Sequence, residues 1–289
     1  ESSIPGISKN FRFFLKKSLN YSDLNIILEN EINISEAEVK KIEDFISLSR
    51  NKTPIEYILN DSEFYGRSFY VDSRVLIPRD ETELIVDLVK EYSASNNPKI
   101  ADLGTGSGCI GISLAIEITG SFVIGIDNSL DALEVANRNK NLHKTSNFEP
   151  RKSNWLEGIK DNDFDFIVSN PPYISSSDEH LKDLMHEPKK ALISSENGYS
   201  DFKKISTQAY KKLKKGGILI FEHGYNQANK VNEIMQSNYF NQIKNFKDYQ
   251  GHPRITIGIK WGSLYNLYKK YGVIIWLEIC KNGHQMLLA

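Results

Sequence analysis

Residues 100–108 read Ile100-Ala101-Asp102-Leu103-Gly104-Thr105-Gly106-Ser107-Gly108, and Phe122-Val123-Ile124-Gly125-Ile126-Asp127 follows a little further on. A short apolar run ends in a glycine-rich turn, the turn opens a helix expected over Gly108–Ile118, and a second apolar run ends in a carboxylate. Short apolar runs alternating with helical segments make a parallel sheet, so this unit decides the fold. Working outward, strands are expected at Phe164–Ser169, Ile218–Glu222 and Ile255–Lys260. Helices are expected from Leu130 to about Leu142, over Asp201–Leu213 and over Gln227–Gln236. The alternation predicts an α/β fold, a largely parallel sheet with helices on both faces. In such sheets a ligand sits beyond the carboxyl ends of the strands, near the reversal of strand order.

The glycines permit positive φ and let a ligand approach the backbone, while Asp127 offers acceptors to a ribose diol. The loop therefore suits an adenosine-containing cofactor. Gly106-Ser107-Gly108-Cys109-Ile110-Gly111 also satisfies G-x-G-x-x-G, so the loop alone does not separate a nicotinamide cofactor from S-adenosylmethionine. Asp102 tilts the choice, because a carboxylate at the mouth of the loop repels a pyrophosphate and attracts the cationic amino-acid end of S-adenosylmethionine. Cys109 at the start of the helix is read as a small buried side chain rather than an activated thiolate.

Upstream, Phe64-Tyr65-Gly66-Arg67-Ser68-Phe69-Tyr70-Val71 sets aromatics around a glycine turn, a hairpin signal. A helix begins near Asp80, runs through Leu84, Ile85, Leu88 and Val89, and is stopped by Asn96-Asn97-Pro98. The first sixty residues are helical in pattern, at Phe11–Leu19 and Leu24–Glu29. Ser35-Glu36-Ala37-Glu38 is then read as an N-cap opening a helix to about Ser49. The expected division is 1–60 as a helical, substrate-contacting domain, 61–79 as a β-hairpin linker, 80–260 as the catalytic domain and 261–289 as a tail of unknown role.

Asp165-Phe166-Ile167-Val168-Ser169 ends abruptly in Asn170-Pro171-Pro172-Tyr173. Two prolines fix φ, remove two donors and hold the preceding residue extended, which makes a rigid corner. The corner suits a planar NH₂ group: Asn170 Oδ1 and the Pro171 carbonyl each accept one proton, and Tyr173 packs against the face. Holding both protons leaves the nitrogen lone pair aimed at an electrophile, and this positioning is much of the catalysis for an amide. No strong general base is required, since the nitrogen becomes acidic as it gains the methyl group.

Composition restricts the partners. The 289 residues carry 36 Lys+Arg against 37 Asp+Glu, a net charge of −1, which argues against stable nucleic-acid binding through many phosphates. Two distant cysteines, Cys109 and Cys280, exclude a disulfide scaffold, and the six His show no metal-ligand spacing, so no metal is expected. Apolar runs such as Val273–Leu277 fall far short of a membrane span. Glu1-Ser2-Ser3 is neither Met nor a signal peptide and is read as a trimmed terminus. A reduced, cytoplasmic monomer is expected.

With the glycine loop and the Asn-Pro-Pro-Tyr corner in one sheet, the chain resembles the Rossmann-like class I S-adenosylmethionine-dependent methyltransferases acting on amino groups. More narrowly it resembles the PrmC/HemK family, the release-factor glutamine N5-methyltransferases. That match rests on Pro54–Leu59 with Phe64-Tyr65-Gly66, on Arg74–Arg79 before Glu81-Thr82-Glu83, and on Glu187-Pro188 with Ala191-Leu192. It continues in Gly216-Gly217 before Glu222 with Gly224 and Gln227, and in Asp248 with Gly251 and Arg254. The resemblance implies S-adenosyl-L-methionine as cofactor, S-adenosyl-L-homocysteine as product and class-1 peptide-chain release factors as partners, methylated on the glutamine of their Gly-Gly-Gln motif. By position it implies a cofactor site of Asp102, Gly104, Thr105, Gly106, Gly108, Asp127, Asn154, Trp155 and Asn170. It implies a catalytic corner of Asn170, Pro171, Pro172 and Tyr173, with Asn170, Pro171, Tyr173 and Glu187 on the substrate. The chain departs from the family pattern at Asn154, usually Asp and expected at the adenine amino group, at Asp80 for Pro, at Asn60 for Gly and at His223 for an apolar residue.

Three other readings compete. An adenine-N6 methyltransferase on DNA or RNA has the same planar NH₂ to hold, with the base flipped out, but the neutral charge and the lack of a target-recognition domain oppose it. The Lys203-Lys204 and Lys211–Lys215 cluster is read as a solvated helix face. A nicotinamide-dependent oxidoreductase leaves Asn170–Tyr173 unexplained. A non-catalytic protein that keeps the fold is the third.

Overall fold

In a computed structural model that describes residues 7–22 and 33–261, seven strands form one sheet, side by side in the order Phe148–Lys152, Phe122–Asp127, Lys99–Leu103, Phe164–Ser169, Leu213–Glu222, Pro253–Lys260 and Phe240–Lys247. The helix expected at 24–29 and the tail from residue 262 lie outside the described residues. The strands are β3 (Lys99–Leu103), β4 (Phe122–Asp127), β5 (Phe148–Lys152), β6 (Phe164–Ser169), β7 (Leu213–Glu222), β8 (Phe240–Lys247) and β9 (Pro253–Lys260). The first five run parallel, and β9 is antiparallel to both β7 and β8. The helices of this part include α4 (Glu83–Tyr92), α5 (Cys109–Glu117), α6 (Leu130–Leu142), α7 (Lys189–Leu192), α8 (Ser200–Lys212) and α9 (Ala228–Ser237). The expected α/β class, with its parallel sheet and flanking helices, is what forms.

Alternate side chains of each strand enter opposite layers. Ile218 and Ile220 join Ile100, Phe166 and Val168 in one apolar cluster, with Val89 of α4 and Ile112 of α5. Leu219 and Phe221 join Leu103, Ile167 and Phe202 in the other. Because both faces are covered, the central strands read as unbroken apolar runs and were legible as such. The two strands that the sequence pattern did not show, β5 and β8, are the two edges. In β5 only Phe148 is buried, and Pro150, Arg151 and Lys152 follow it. β8 pairs with β9 in an irregular register and exposes polar residues. Edge strands carry Pro and charge to block further pairing, and this erases the apolar signal that reveals a central strand.

Before the sheet stand α1 (Ile7–Leu19), α2 (Glu36–Arg50) and α3 (Ile55–Leu59), then the hairpin of β1 (Ser62–Phe64) and β2 (Arg67–Phe69). The expected cap of α2 forms as a full capping box: Glu38 N donates to Ser35 Oγ at 3.3 Å, and Ser35 N donates to Glu38 Oε2 at 2.8 Å. Phe14 of α1 stacks on Phe45 of α2 with ring centroids 4.5 Å apart. The hairpin turns through Tyr65 and Gly66 at φ +53° and +68°, the left-handed pair a two-residue hairpin requires. Its Phe64 and Phe69 are completely buried in the cluster with α4 and α5, each contributing about 2 kcal/mol by burial.

The chain's departures at Asn60 and His223 have structural counterparts. Asn60 caps α3 at φ +53°, and its Nδ2 donates to the carbonyls of Tyr57 and Val71. After Gly, Asn is among the residues best suited to that left-handed position. His223 is buried, with its two ring nitrogens 2.9 Å from the Gly224 carbonyl and 2.8 Å from Thr256 Oγ1, so a polar ring is accommodated without an orphaned atom.

Candidate active site

The strand order reverses at β3, where one crossover leads through α5 to β4 on one side and β6 lies on the other. A cavity of about 530 Å³ opens beside that point at the carboxyl ends of the strands. Its wall includes Gly104, Gly106, Asp127, Asn154, Trp155, Asn170 and Pro172. Residues as distant in sequence as Gly104 and Asn170 are brought together because β3, β4 and β6 are neighbours in register, Leu103 facing Ile126 and Ser169.

The loop is shaped for a backbone-hugging ligand. Gly104, Gly106 and Gly108 sit at φ +71°, +53° and +82°. A Cβ on Gly104 would stand 3.5 Å from Cζ3 of Trp155, so the missing side chain leaves the space between loop and indole open. Gly108 serves packing instead. A Cβ there would lie 2.9 Å from Ile112 and 3.4 Å from Ala136, so this glycine permits α5 and α6 to pack closely, and it lies off the wall.

Asp127 is anchored by two backbone amides, Gly106 N donating to Oδ2 at 3.0 Å and Ser129 N to Oδ1 at 2.9 Å. Burial raises its pKa, and these amide bonds oppose the rise. Its carboxylate thereby ties the glycine loop to the end of β4 while remaining on the cavity wall. Trp155, held at φ +54°, donates from Nε1 to Asp201 Oδ1 at 3.3 Å.

The placement of Asp102 corrects the sequence reading. It is completely buried beneath the loop rather than exposed at its mouth, and it is not on the cavity wall. Oδ2 accepts from Thr105 Oγ1 at 2.6 Å and from Gly111 N at 3.0 Å, so Asp102 and Thr105 brace the loop from below. Oδ1 has no partner among the described residues, and burial pushes the carboxyl up to about 7. The residual negative potential under the loop still favours a cationic group above it. Cys109 is buried as expected, and burial pushes its thiol up to about 12, the opposite of an activated thiolate.

At the corner, Asn170 and Pro172 line the cavity, whereas Pro171 is buried and Tyr173 is partly buried against the apolar cluster that includes Phe202 and Phe221. Burial also raises the Tyr173 phenol above its ordinary value. Gln227 Nε2 donates to the Tyr173 carbonyl, and Gly198 at φ +90° passes so close that a Cβ would fall 2.2 Å from the same oxygen. The Asn170 side chain is held by Thr82, to whose hydroxyl Nδ2 donates at 3.3 Å.

Glu187, expected on the substrate, is placed away from the cavity. Only 5% exposed, it accepts from Ile77 N at 3.1 Å and from Arg79 at 2.5 Å, and it does not line the cavity. Both carboxylate oxygens are thus engaged by the segment that leads into α4, and Glu187 clamps that segment in place. Conversely, Arg74, Asp201, Lys189, Lys190 and Lys204 reach the wall although the sequence pattern gives them no site role. Lys204 is exposed, as expected of a solvated helix face, and that face borders the cavity. A helical period finds the face of α8, but which of its ends meets the cavity depends on where the strands stop.

A nucleotide-sized cleft at the switch point of the β5-β4-β3-β6-β7-β9-β8 sheet, with a glycine loop on one side and a proline corner on the other, defines a group-transfer enzyme of the methyltransferase type. Comparison with known proteins agrees. The family described as "Methyltransferase domain" matches residues 94–272. The release factor glutamine methyltransferase of Coxiella burnetii is 35% identical over 240 residues, covering 83% of this chain and 87% of that protein. The bifunctional methyltransferase of Rickettsia felis is 37% identical over 278 residues, covering 85% of this chain and 52% of that protein, so the chain spans about half the length of this relative. A methyltransferase structure from Pyrococcus furiosus superposes with a TM-score of 0.54 at 17% identity, over 79% of this chain and 100% of that one, a likeness of fold. The chain belongs to the methyltransferase-domain family and, within it, to the release factor glutamine methyltransferases. Among the described residues no helix is long and apolar enough to cross a membrane.

Proposed function

We propose that this chain transfers a methyl group from S-adenosylmethionine to the side-chain amide nitrogen of the glutamine in the Gly-Gly-Gln motif of peptide-chain release factors. The observation that carries the proposal is the position of Asn170, which stands on the wall of the same cavity as Gly104, Gly106 and Asp127. An acceptor for an NH₂ group and a cradle for an adenosine cofactor therefore share one cleft. The names of the curated relatives point to the same acceptor.

Gly104 and Gly106 would hold the cofactor against their backbone, Asp127 would accept from its ribose and Asn154 from its adenine amino group, and Trp155 would close one side. When bound, S-adenosylmethionine supplies an electrophilic methyl group. Asn170 Oδ1 would accept a hydrogen bond from one N–H of the substrate amide, which orients the nitrogen lone pair toward the cleft. Residues 1–60 would contact the release factor, with the hairpin of 61–79 joining them to the catalytic part.

The test is mass spectrometry of a release factor after incubation with this protein and S-adenosylmethionine. A single added methyl on the Gly-Gly-Gln glutamine is expected, and Asn170→Ala is expected to lower its rate by ~100-fold or more, in line with the loss of an oriented polar contact. Methylation of an adenine oligonucleotide and not of the release factor would replace the proposal with the adenine reading.

A further inference from the structure

Behind the Asn170 carboxamide stands a buried pair that lies off the cavity wall. Asn170 Nδ2 donates to Thr82 Oγ1 at 3.3 Å, and Thr82 Oγ1 donates to Glu222 Oε2 at 2.6 Å. Thr82 is 3% exposed and Glu222 2%. The three residues come from three separate places: the 3-10 turn Asp80–Thr82 before α4, the residue after β6, and the end of β7. They meet because β6 and β7 are paired in register, Ser169 opposite Phe221, and α4 packs across β7.

A hydroxyl has one hydrogen to give, and an ionised carboxylate can only accept. With Glu222 ionised, the Thr82 hydrogen is committed to it and only lone pairs face Asn170. The carboxamide must then turn its NH₂ toward Thr82, which leaves Oδ1 without a protein donor among the described residues and free to accept, on a residue of the cavity wall. We propose that Glu222 and Thr82 are positioning residues, a relay that fixes the Asn170 carboxamide with its oxygen toward the substrate nitrogen. This rests on the function proposed above and deepens it.

The opposite state is equally defined. Protonated Glu222 can donate to Thr82, the hydroxyl then donates to Asn170, and the carboxamide must reverse to accept. Its NH₂ would face the substrate NH₂, donor against donor. Glu222 lies in a mixed field: Arg254 and Arg79 favour its ionised form, Glu81 opposes it, Tyr173 and Cys109 are held neutral nearby, and His223 adjoins it. Burial is the largest influence and raises the carboxyl to about 7.

The experiment uses the full chain with a release factor and S-adenosylmethionine. Thr82→Val is expected to lower kcat at least tenfold, while KM for the release factor and calorimetric cofactor affinity stay within twofold; Thr82→Ser should recover kcat to within threefold. Glu222→Gln should remove the fall in kcat that wild type shows below about pH 7. Folded Thr82→Val protein with wild-type kcat, or an unchanged acid limb in Glu222→Gln, would overturn the relay. A second readout is independent of turnover: the Asn170 side-chain amide resonances in a ¹⁵N spectrum should shift in Thr82→Val, and resonances left in place would overturn the relay. Should wild-type protein transfer no methyl to the release factor, the functional reading falls alone, and the amide resonances still decide the relay.

Discussion

The carbonyl of Tyr173 accepts a hydrogen bond from Gln227 Nε2 at 3.0 Å, and Gln227 Oε1 in turn accepts from Gly224 N at 2.9 Å. One side chain at the start of α9 therefore joins the end of the proline corner to the loop after β7. The prolines fix φ within the corner but supply no donors, so its far end is held by side chains from elsewhere.

Gln227→Leu is expected to leave the Tyr173 carbonyl unpaired in a largely buried place, at a cost of about 1–3 kcal/mol. Methyl transfer should fall by about tenfold through a loosened corner, with cofactor affinity little changed. Steady-state kinetics beside calorimetric titration checks both. An unchanged rate would mean that the prolines alone make the corner rigid.

Gly125 in β4 faces Phe148 so closely that a Cβ would lie 2.5 Å from the ring and 2.9 Å from Thr105 Oγ1. Phe148 is the buried anchor of the edge strand β5. Gly125→Ala is expected to destabilise the fold by about 1–3 kcal/mol, as overpacking in a filled core does. Urea unfolding curves measure it, and a midpoint equal to that of wild type would show that the ring can yield.

Asp102 and Glu222 give the fold a distinct pH dependence. Their ordinary values are 3.8 and 4.5, and burial raises each to about 7 in the folded protein. Between those limits the folded chain holds protons that the unfolded chain has released, so stability falls as pH rises and levels off above about pH 7. Asp102→Asn removes one of the two groups. The stability difference between wild type and this variant should drift in the variant's favour from about pH 4 to about pH 7, by denaturation at a series of pH values. A constant difference would show that Asp102 titrates normally.

Glu187 joins two segments 108 to 110 residues apart, bonding Ile77 N and Arg79. Glu187→Ala leaves a buried backbone amide without its acceptor, and an expected loss of about 1–3 kcal/mol follows. Limited proteolysis should then cut first near residues 72–80. Glu187→Gln, which keeps an acceptor for Ile77, should lie between the two. A cleavage pattern identical to wild type would remove the clamp role.

Much of the sheet was legible because covered strands are apolar throughout and end in marked loops. Lys99–Leu103, Phe122–Asp127 and Phe164–Ser169 were readable to within a residue. The edges β5 and β8 were not, since the polar groups that protect an edge also hide it. At the site, Gly104, Gly106, Asp127 and Asn170 were recognisable from residue type and place in a motif. Whether Asp102 stood at the mouth or below the loop was not, because chain alternation at a strand end does not say how deep the neighbouring helix sits.

By itself the sequence determined the class of fold, the two motifs and their order, since each depends on local backbone demands: glycine where φ is positive, proline where a corner must be rigid. Only the tertiary structure decided which side chains surround those motifs. Glu187 became a clamp, Lys204 reached the cavity, and Thr82 and Glu222, 140 residues apart, came to stand behind Asn170. Such contacts depend on strand register and helix packing summed over the whole sheet, and no window of neighbouring residues contains them.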